Sequence, residues 1–130
     1  MTKRILVVED NDLNRKLFCD VLQAGGYSVE PVADGNLAIE SARAFTPNLV
    51  VMDIQLADVS GLDLISILKH DADLCEVPVL AVTAYAGKGD EERIRESGAE
   101  GYLSKPVSIG PFMAAVRGLV DRPPAAEAAE

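Results

Sequence analysis

The chain has 130 residues, 48% of them hydrophobic and 25% charged, a balance that suits one globular domain with a single core. A net charge of −9, with 21 Asp and Glu against 12 Lys and Arg, would repel a phosphate backbone, so nucleic-acid binding is not expected. Cys19 and Cys75 lack metal-like spacing and read as free thiols, and the start MTKRILVVED is too short in apolar residues for a signal peptide or membrane span, so we expect a cytoplasmic protein without membrane insertion.

The apolar run ILVV (5–8) predicts a strand buried on both faces, ending at Glu9-Asp10. NDLNRKLFCDVLQAGG follows as a helix, with Leu13, Leu17 and Val21 at helical spacing and Phe18 and Leu22 beside them. Asn11 or Asp12 serves as its cap, and Gly25-Gly26 ends it. YSVEPV (27–32) alternates and contains Pro31, which cannot donate to a ladder, so it reads as an edge strand. DGNLAIESARAF (34–45) is a second helix, with Ala38, Ile39, Ala42 and Phe45 inward.

LVVM (49–52) is another buried strand and runs into Asp53. SGLDLISILKHD (60–71) is a third helix, with Leu62, Ile65 and Leu68 on one face and Leu64 close by. VPVLAVTA (77–84) is a buried strand ending at Thr83. GDEERIRESG (89–98) is a charged helix with Ile94 as its one large apolar residue; Gly89 or Asp90 caps it and Gly98 ends it. GYLS (101–104) is a short strand ending at Lys105-Pro106. SIGPFMAAVRGLV (108–120) is the last helix, capped by Ser108, with Ile109, Phe112, Met113, Val116, Leu119 and Val120 on its apolar face. RPPAAEAAE (122–130) reads as a disordered tail after a domain of residues 1–121.

Alternation of strands and helices predicts a parallel sheet covered on both faces. The all-apolar strands one, three and four belong in the middle, and strands two and five at the edges. The doubly wound order 2-1-3-4-5 satisfies both and places a switch point between strands one and three. Ligands in such sheets bind beyond the C-terminal strand ends at that point.

Glu9, Asp10, Asp53, Thr83 and Lys105 all lie there. Singly, each has an ordinary explanation: a solvated strand end, a helix-capping acid, a strand threonine, a surface lysine. Jointly they place three carboxylates, a hydroxyl and an ammonium on one rim. Crowded carboxylates take up a proton or hold a cation, and an all-oxygen site suits Mg²⁺. Asp53, on the central strand, is the carboxylate best placed to attack phosphorus. The single His70 reads as a surface residue, and Cys19 as a packed thiol.

The chain resembles the receiver domain of two-component response regulators over about residues 3–121, through VVEDN (7–11), VVMDIQL (50–56), Gly61, VTA (82–84) and KP (105–106). Within that CheY-like superfamily it is most similar to DivK-type single-domain regulators of alphaproteobacterial cell-cycle control. The resemblance implies a flavodoxin-like (βα)5 fold. It implies that Asp53 accepts phosphate from a histidine on a sensor kinase, and that Glu9 and Asp10 hold Mg²⁺, with Mn²⁺ able to substitute. Gln55 matches a position whose backbone carbonyl binds the metal. Thr83 and Lys105 match residues that contact the phosphoryl oxygens, and Tyr102 matches an aromatic switch. The Lys105-Pro106 bond is cis in the family.

Many receivers carry proline four residues after the phosphoacceptor, where this chain has Ala57; the looser loop is expected to cost up to ~1 kcal/mol of stability. We expect no output domain after residue 121, so that phosphorylation acts by remodelling the face of helix four, strand five and helix five. The start of helix one, near Leu13 and Asn14, matches a docking surface for kinase helical bundles. Two further roles are a phosphorelay intermediate serving a histidine phosphotransferase and a small aspartyl phosphatase. The second needs an Asp where Gln55 stands. Nucleotide binding is weaker still, because neither GxxxxGK[ST] nor GxGxxG occurs.

Overall fold

The computed structural model describes residues 2–57, 59–84 and 88–121. The expected tail at 122–130 lies outside the described residues. Five parallel strands form one sheet: β1 (Arg4–Val8), β2 (Ser28–Val32), β3 (Leu49–Asp53), β4 (Val79–Thr83) and β5 (Gly101–Ser104). Their order is β2-β1-β3-β4-β5, as the placement of apolar runs and Pro31 predicts. The helices are α1 (Asp12–Ala24), α2 (Ala38–Phe45), α3 (Gly61–His70), α4 (Lys88–Glu96) and α5 (Ile109–Val120), with a 3₁₀ turn over Gly35–Leu37 before α2.

Strand periodicity divides the core in two. Leu6, Val8, Val50, Met52 and Ala81 pack on one face with α2, α3 and Ile94 of α4. Ile5, Val7, Leu49, Val51, Leu80 and Val82 pack on the other with α1 and α5. Every residue of β3 and β4 is buried, which explains why these strands read as unbroken apolar runs.

Three local expectations are corrected. The buried stripe of α1 is Phe18 and Leu22, whereas Leu13 is 80% and Leu17 42% exposed. Phe18 stacks on Phe112 of α5 with ring centroids 5.1 Å apart, and that large contact fixes the rotation of α1. In α5, Ile109 in the first turn is exposed, while Phe112, Met113, Val116 and Val120 are buried. Helix α4 begins at Lys88, so Gly89 and Asp90 sit inside its first turn and do not cap it. Asn11 does cap α1, accepting the Asn14 N–H at 2.9 Å. Ser108 precedes α5 in extended conformation but makes no side-chain cap bond. Lys105-Pro106 is cis.

Candidate functional site

The strand register brings the acidic residues together. Val8 pairs with Met52, so the next residues, Glu9 and Asp53, emerge side by side. Asp53 pairs with Val82, which places Thr83 one step further along β4. Glu9 and Asp53 are 0% and 2% exposed; Asp10 is half-buried. One carboxylate oxygen from each of Glu9, Asp10 and Asp53 lies within 4.8 Å of the others.

Lys105 spans this cluster from the end of β5. Its Nζ donates to Glu9 Oε1 at 3.0 Å and lies 3.3 Å from Asp53 Oδ1. Burial alone would lower the Lys105 pKa, but the bond to Glu9 and the charges of Asp53 and Glu9 together raise it. Glu9 moves the other way from an ordinary acid. Burial, then its contact with Asp53, pushes its carboxyl up to about 7 despite Lys105. Lys105 pairs with Glu9 and Asp53, so a single ammonium is set against the three clustered carboxylates. A compact all-oxygen donor set with surplus negative charge fits a hard divalent cation such as Mg²⁺.

Main-chain groups hold the cluster in place. The Gln55 N–H donates to Asp53 Oδ1 at 3.0 Å, and the Asn11 N–H to Glu9 Oε2 at 3.3 Å. The Ala57 N–H donates to Asp10 Oδ2 at 2.8 Å. That bond corrects the expectation for Ala57. A proline there has no N–H, so alanine supplies a charge-assisted bond to Asp10 that the proline of other receivers could not. Arg15, one turn into α1, reaches back with Nη1 to the carbonyls of Glu9 and Asp10 at 3.0 and 3.4 Å. Gly61 lets α3 start against the strand end: a Cβ there would lie 2.3 Å from the Asp53 carbonyl oxygen.

Thr83 is buried beside this group, and its hydroxyl accepts Gln55 Nε2 at 3.4 Å. Tyr102 stands apart from the carboxylates. Its ring packs on the α2–α4 side of the core, and its hydroxyl bonds Glu91 of α4, which raises the tyrosine pKa. His70 is exposed, as expected. Cys19 is half-buried against the α1–α5 core, and burial pushes its thiol pKa up. Sequence reasoning missed the side-chain role of Gln55, the clasp of Arg15 and the Ala57 bond. Only Ala57 left a signal, as a departure from proline.

Residues 5–117 match the family of response regulator receiver domains. The chain belongs to that family. This receiver is 50% identical over 117 residues to the polar-differentiation response regulator DivK of Brucella ovis, covering 90% of this chain and 95% of that one. It is 49% identical over 117 residues to the DivK of Brucella anthropi, with the same coverage. Among solved structures, the chemotaxis protein CheY4 of Vibrio cholerae shares the fold, with a TM-score of 0.87 at 22% identity over 92% of this chain and 99% of that one. The receiver domain of sensor histidine kinase PA1611 from Pseudomonas aeruginosa has a TM-score of 0.86 at 30% identity, over 94% of this chain and all of that one. Its structure has a magnesium ion coordinated in the active-site cleft. Among the described residues, no helix is long and apolar enough to cross a membrane.

Proposed function

We propose that this receiver accepts a phosphoryl group on Asp53 from a histidine of a sensor kinase, and that the modified site alters its contacts with other proteins. The observation that carries the reading is the meeting of Glu9, Asp10 and Asp53 within 4.8 Å under one lysine. Asp53 Oδ1 faces the Gln55 N–H and Lys105, and on this reading Oδ2 attacks phosphorus. An O–P bond forms at Asp53 as the P–N bond to the donor histidine breaks, and the imidazole leaves with the electron pair. Lys105 is the cation for one phosphoryl oxygen, and the Thr83 hydroxyl a donor for another. Glu9, Asp10, Asp53 and the Gln55 backbone carbonyl would hold Mg²⁺, which when bound offsets the negative charge meeting an anionic phosphoryl group. Mn²⁺ offers similar chemistry.

Helix α4 is suited to move. Among the described residues Ile94 is its only large buried side chain, and its charges include the half-exposed pair Glu91–Arg95 at 2.7 Å. Tyr102, the switch residue on this reading, has its hydroxyl beside Glu91 of α4. The exposed Leu13 and Leu17 on α1 and Ile109 at the start of α5 supply apolar contacts for a kinase or phosphotransferase helical bundle. Likeness to the polar-differentiation regulator DivK supports a role in cell-polarity or cell-cycle signalling, with service as a relay intermediate the second role.

The test is direct. The full chain is incubated with acetyl phosphate and Mg²⁺, and intact mass with borohydride trapping locates any acyl phosphate. Wild type is expected to gain one phosphoryl group at Asp53, and Asp53→Asn none. Equal labelling of the two, or no labelling of wild type even with a cognate kinase, overturns the assignment.

A further inference from the structure

Gln55 bridges the two segments that flank Asp53. Its backbone N–H holds Asp53 Oδ1 at 3.0 Å. Its side chain reaches across the crevice to the end of β4. There Oε1 accepts the Ala84 N–H at 2.9 Å, and Nε2 donates to the Thr83 hydroxyl at 3.4 Å. Thr83 and Ala84 follow Val82, the register partner of Asp53, so the Thr83 hydroxyl and the Ala84 N–H are donors at the strand end beside Asp53. In the resting protein the Gln55 carboxamide engages both.

Resting on the phosphoacceptor reading above, we propose that Gln55 is a positioning residue: its carboxamide holds the end of β4 at rest and is displaced when Asp53 gains a phosphoryl group. A phosphoryl group brings charged acceptor oxygens. A backbone N–H binds such an oxygen more strongly than it binds a neutral amide carbonyl, so Ala84 changes partner favourably. The Thr83 hydroxyl accepts from Nε2 and would donate to a phosphoryl oxygen, so the competition that displaces the carboxamide is for the Ala84 N–H. The freed carboxamide has room. A cavity of about 270 Å³ adjoins it, lined by Ile54, Leu62, Thr83 and Ile94. Ser60 and Arg93 line the same cavity and offer the displaced amide new partners. The resting bonds exist in one state only, so they set how far the equilibrium leans toward rest before phosphorylation.

Fluoroberyllate with Mg²⁺, an anionic phosphoryl mimic, is the probe, and hydrogen exchange at the Ala84 amide is the second readout. Gln55→Ala should bind the mimic about three- to tenfold more tightly than wild type, the change expected from one net hydrogen bond. In the untreated variant, the Ala84 amide should exchange about threefold faster or more. Gln55→Glu keeps an acceptor for Ala84 and should keep its protection. It also sets a like charge beside the mimic and should bind it more weakly than wild type. Equal mimic affinity in wild type and Gln55→Ala, or unchanged Ala84 exchange, overturns the proposal. If the mimic binds neither protein, the phosphoacceptor reading falls and displacement falls with it, while Ala84 exchange separately reports whether the resting bridge exists.

Discussion

Replacing Asp53 with Asn tests whether the carboxylate cluster is strained in the absence of a cation. Asp53 is 2% exposed and faces Glu9 and Asp10 within 4.8 Å. At about pH 8, where Glu9 is ionised, and at an effective dielectric constant of about 20, each such like pair costs about 3.5 kcal/mol. The contact with Lys105 at 3.3 Å returns about 5 kcal/mol on the same scale. The balance is about 2 kcal/mol of repulsion, before the cost of desolvating the carboxylate. Asparagine removes the charge and keeps an oxygen for the Gln55 N–H. In EDTA at about pH 8, Asp53→Asn should therefore be more stable than wild type by about 1–3 kcal/mol, read by urea unfolding. Excess Mg²⁺ should stabilise wild type more than the variant and narrow or reverse the gap. A variant less stable than wild type in EDTA would mean that Lys105 already neutralises the cluster, and the case for a cation there would fail. Glu9 gives a pH check on the same reasoning. Its carboxyl is raised from 4.5 to about 7 by burial and by Asp53. Between those values the native state holds more of this proton than the unfolded chain, so the Glu9 contribution to stability falls as pH rises. In EDTA, the stability of wild type relative to Glu9→Gln should drop across that window by up to about 3 kcal/mol. Parallel curves for the two proteins would remove the raised carboxyl.

Two further substitutions probe the frame around the site. Ala57→Pro would tighten the unfolded chain by up to about 1 kcal/mol, but it deletes the N–H that donates to Asp10, a charge-assisted bond worth about 1.5–3 kcal/mol. A net loss of about 1 kcal/mol is expected by chemical denaturation, and a gain would show that the bond to Asp10 contributes little. Gly61→Ala places a methyl 2.3 Å from the Asp53 carbonyl oxygen and 2.6 Å from the Ile54 Cα. Both neighbours are backbone, so relief requires moving the strand end, at a cost of about 1–3 kcal/mol. Unchanged stability together with unchanged Asp53 labelling would show that α3 can shift away freely.

The sheet was legible because its signals are of residue type. Three apolar runs named the inner strands, and Pro31 marked an edge. The rotation of α1 was not legible, because two adjacent stripes, Leu13–Leu17–Val21 and Phe18–Leu22, are both apolar. Periodicity cannot choose between them, and the stacking of Phe18 on Phe112, between helices far apart in sequence, decides it. The same distinction runs through the site. Glu9, Asp10, Asp53, Thr83 and Lys105 could be named because their side chains carry distinctive chemistry and end strands on one rim. What orients them is mostly main chain: the N–H groups of Asn11, Gln55 and Ala57, and the carbonyls that Arg15 grips. Nearly every residue owns an N–H and a carbonyl, so a sequence cannot mark the ones in use. Ala57 is the exception, since the residue it replaces in many receivers has no N–H at all. Its absence from the proline pattern suggested a looser loop, judged through the unfolded chain. The folded state reverses that judgement, because the freedom alanine keeps is offset by a donor aimed at Asp10.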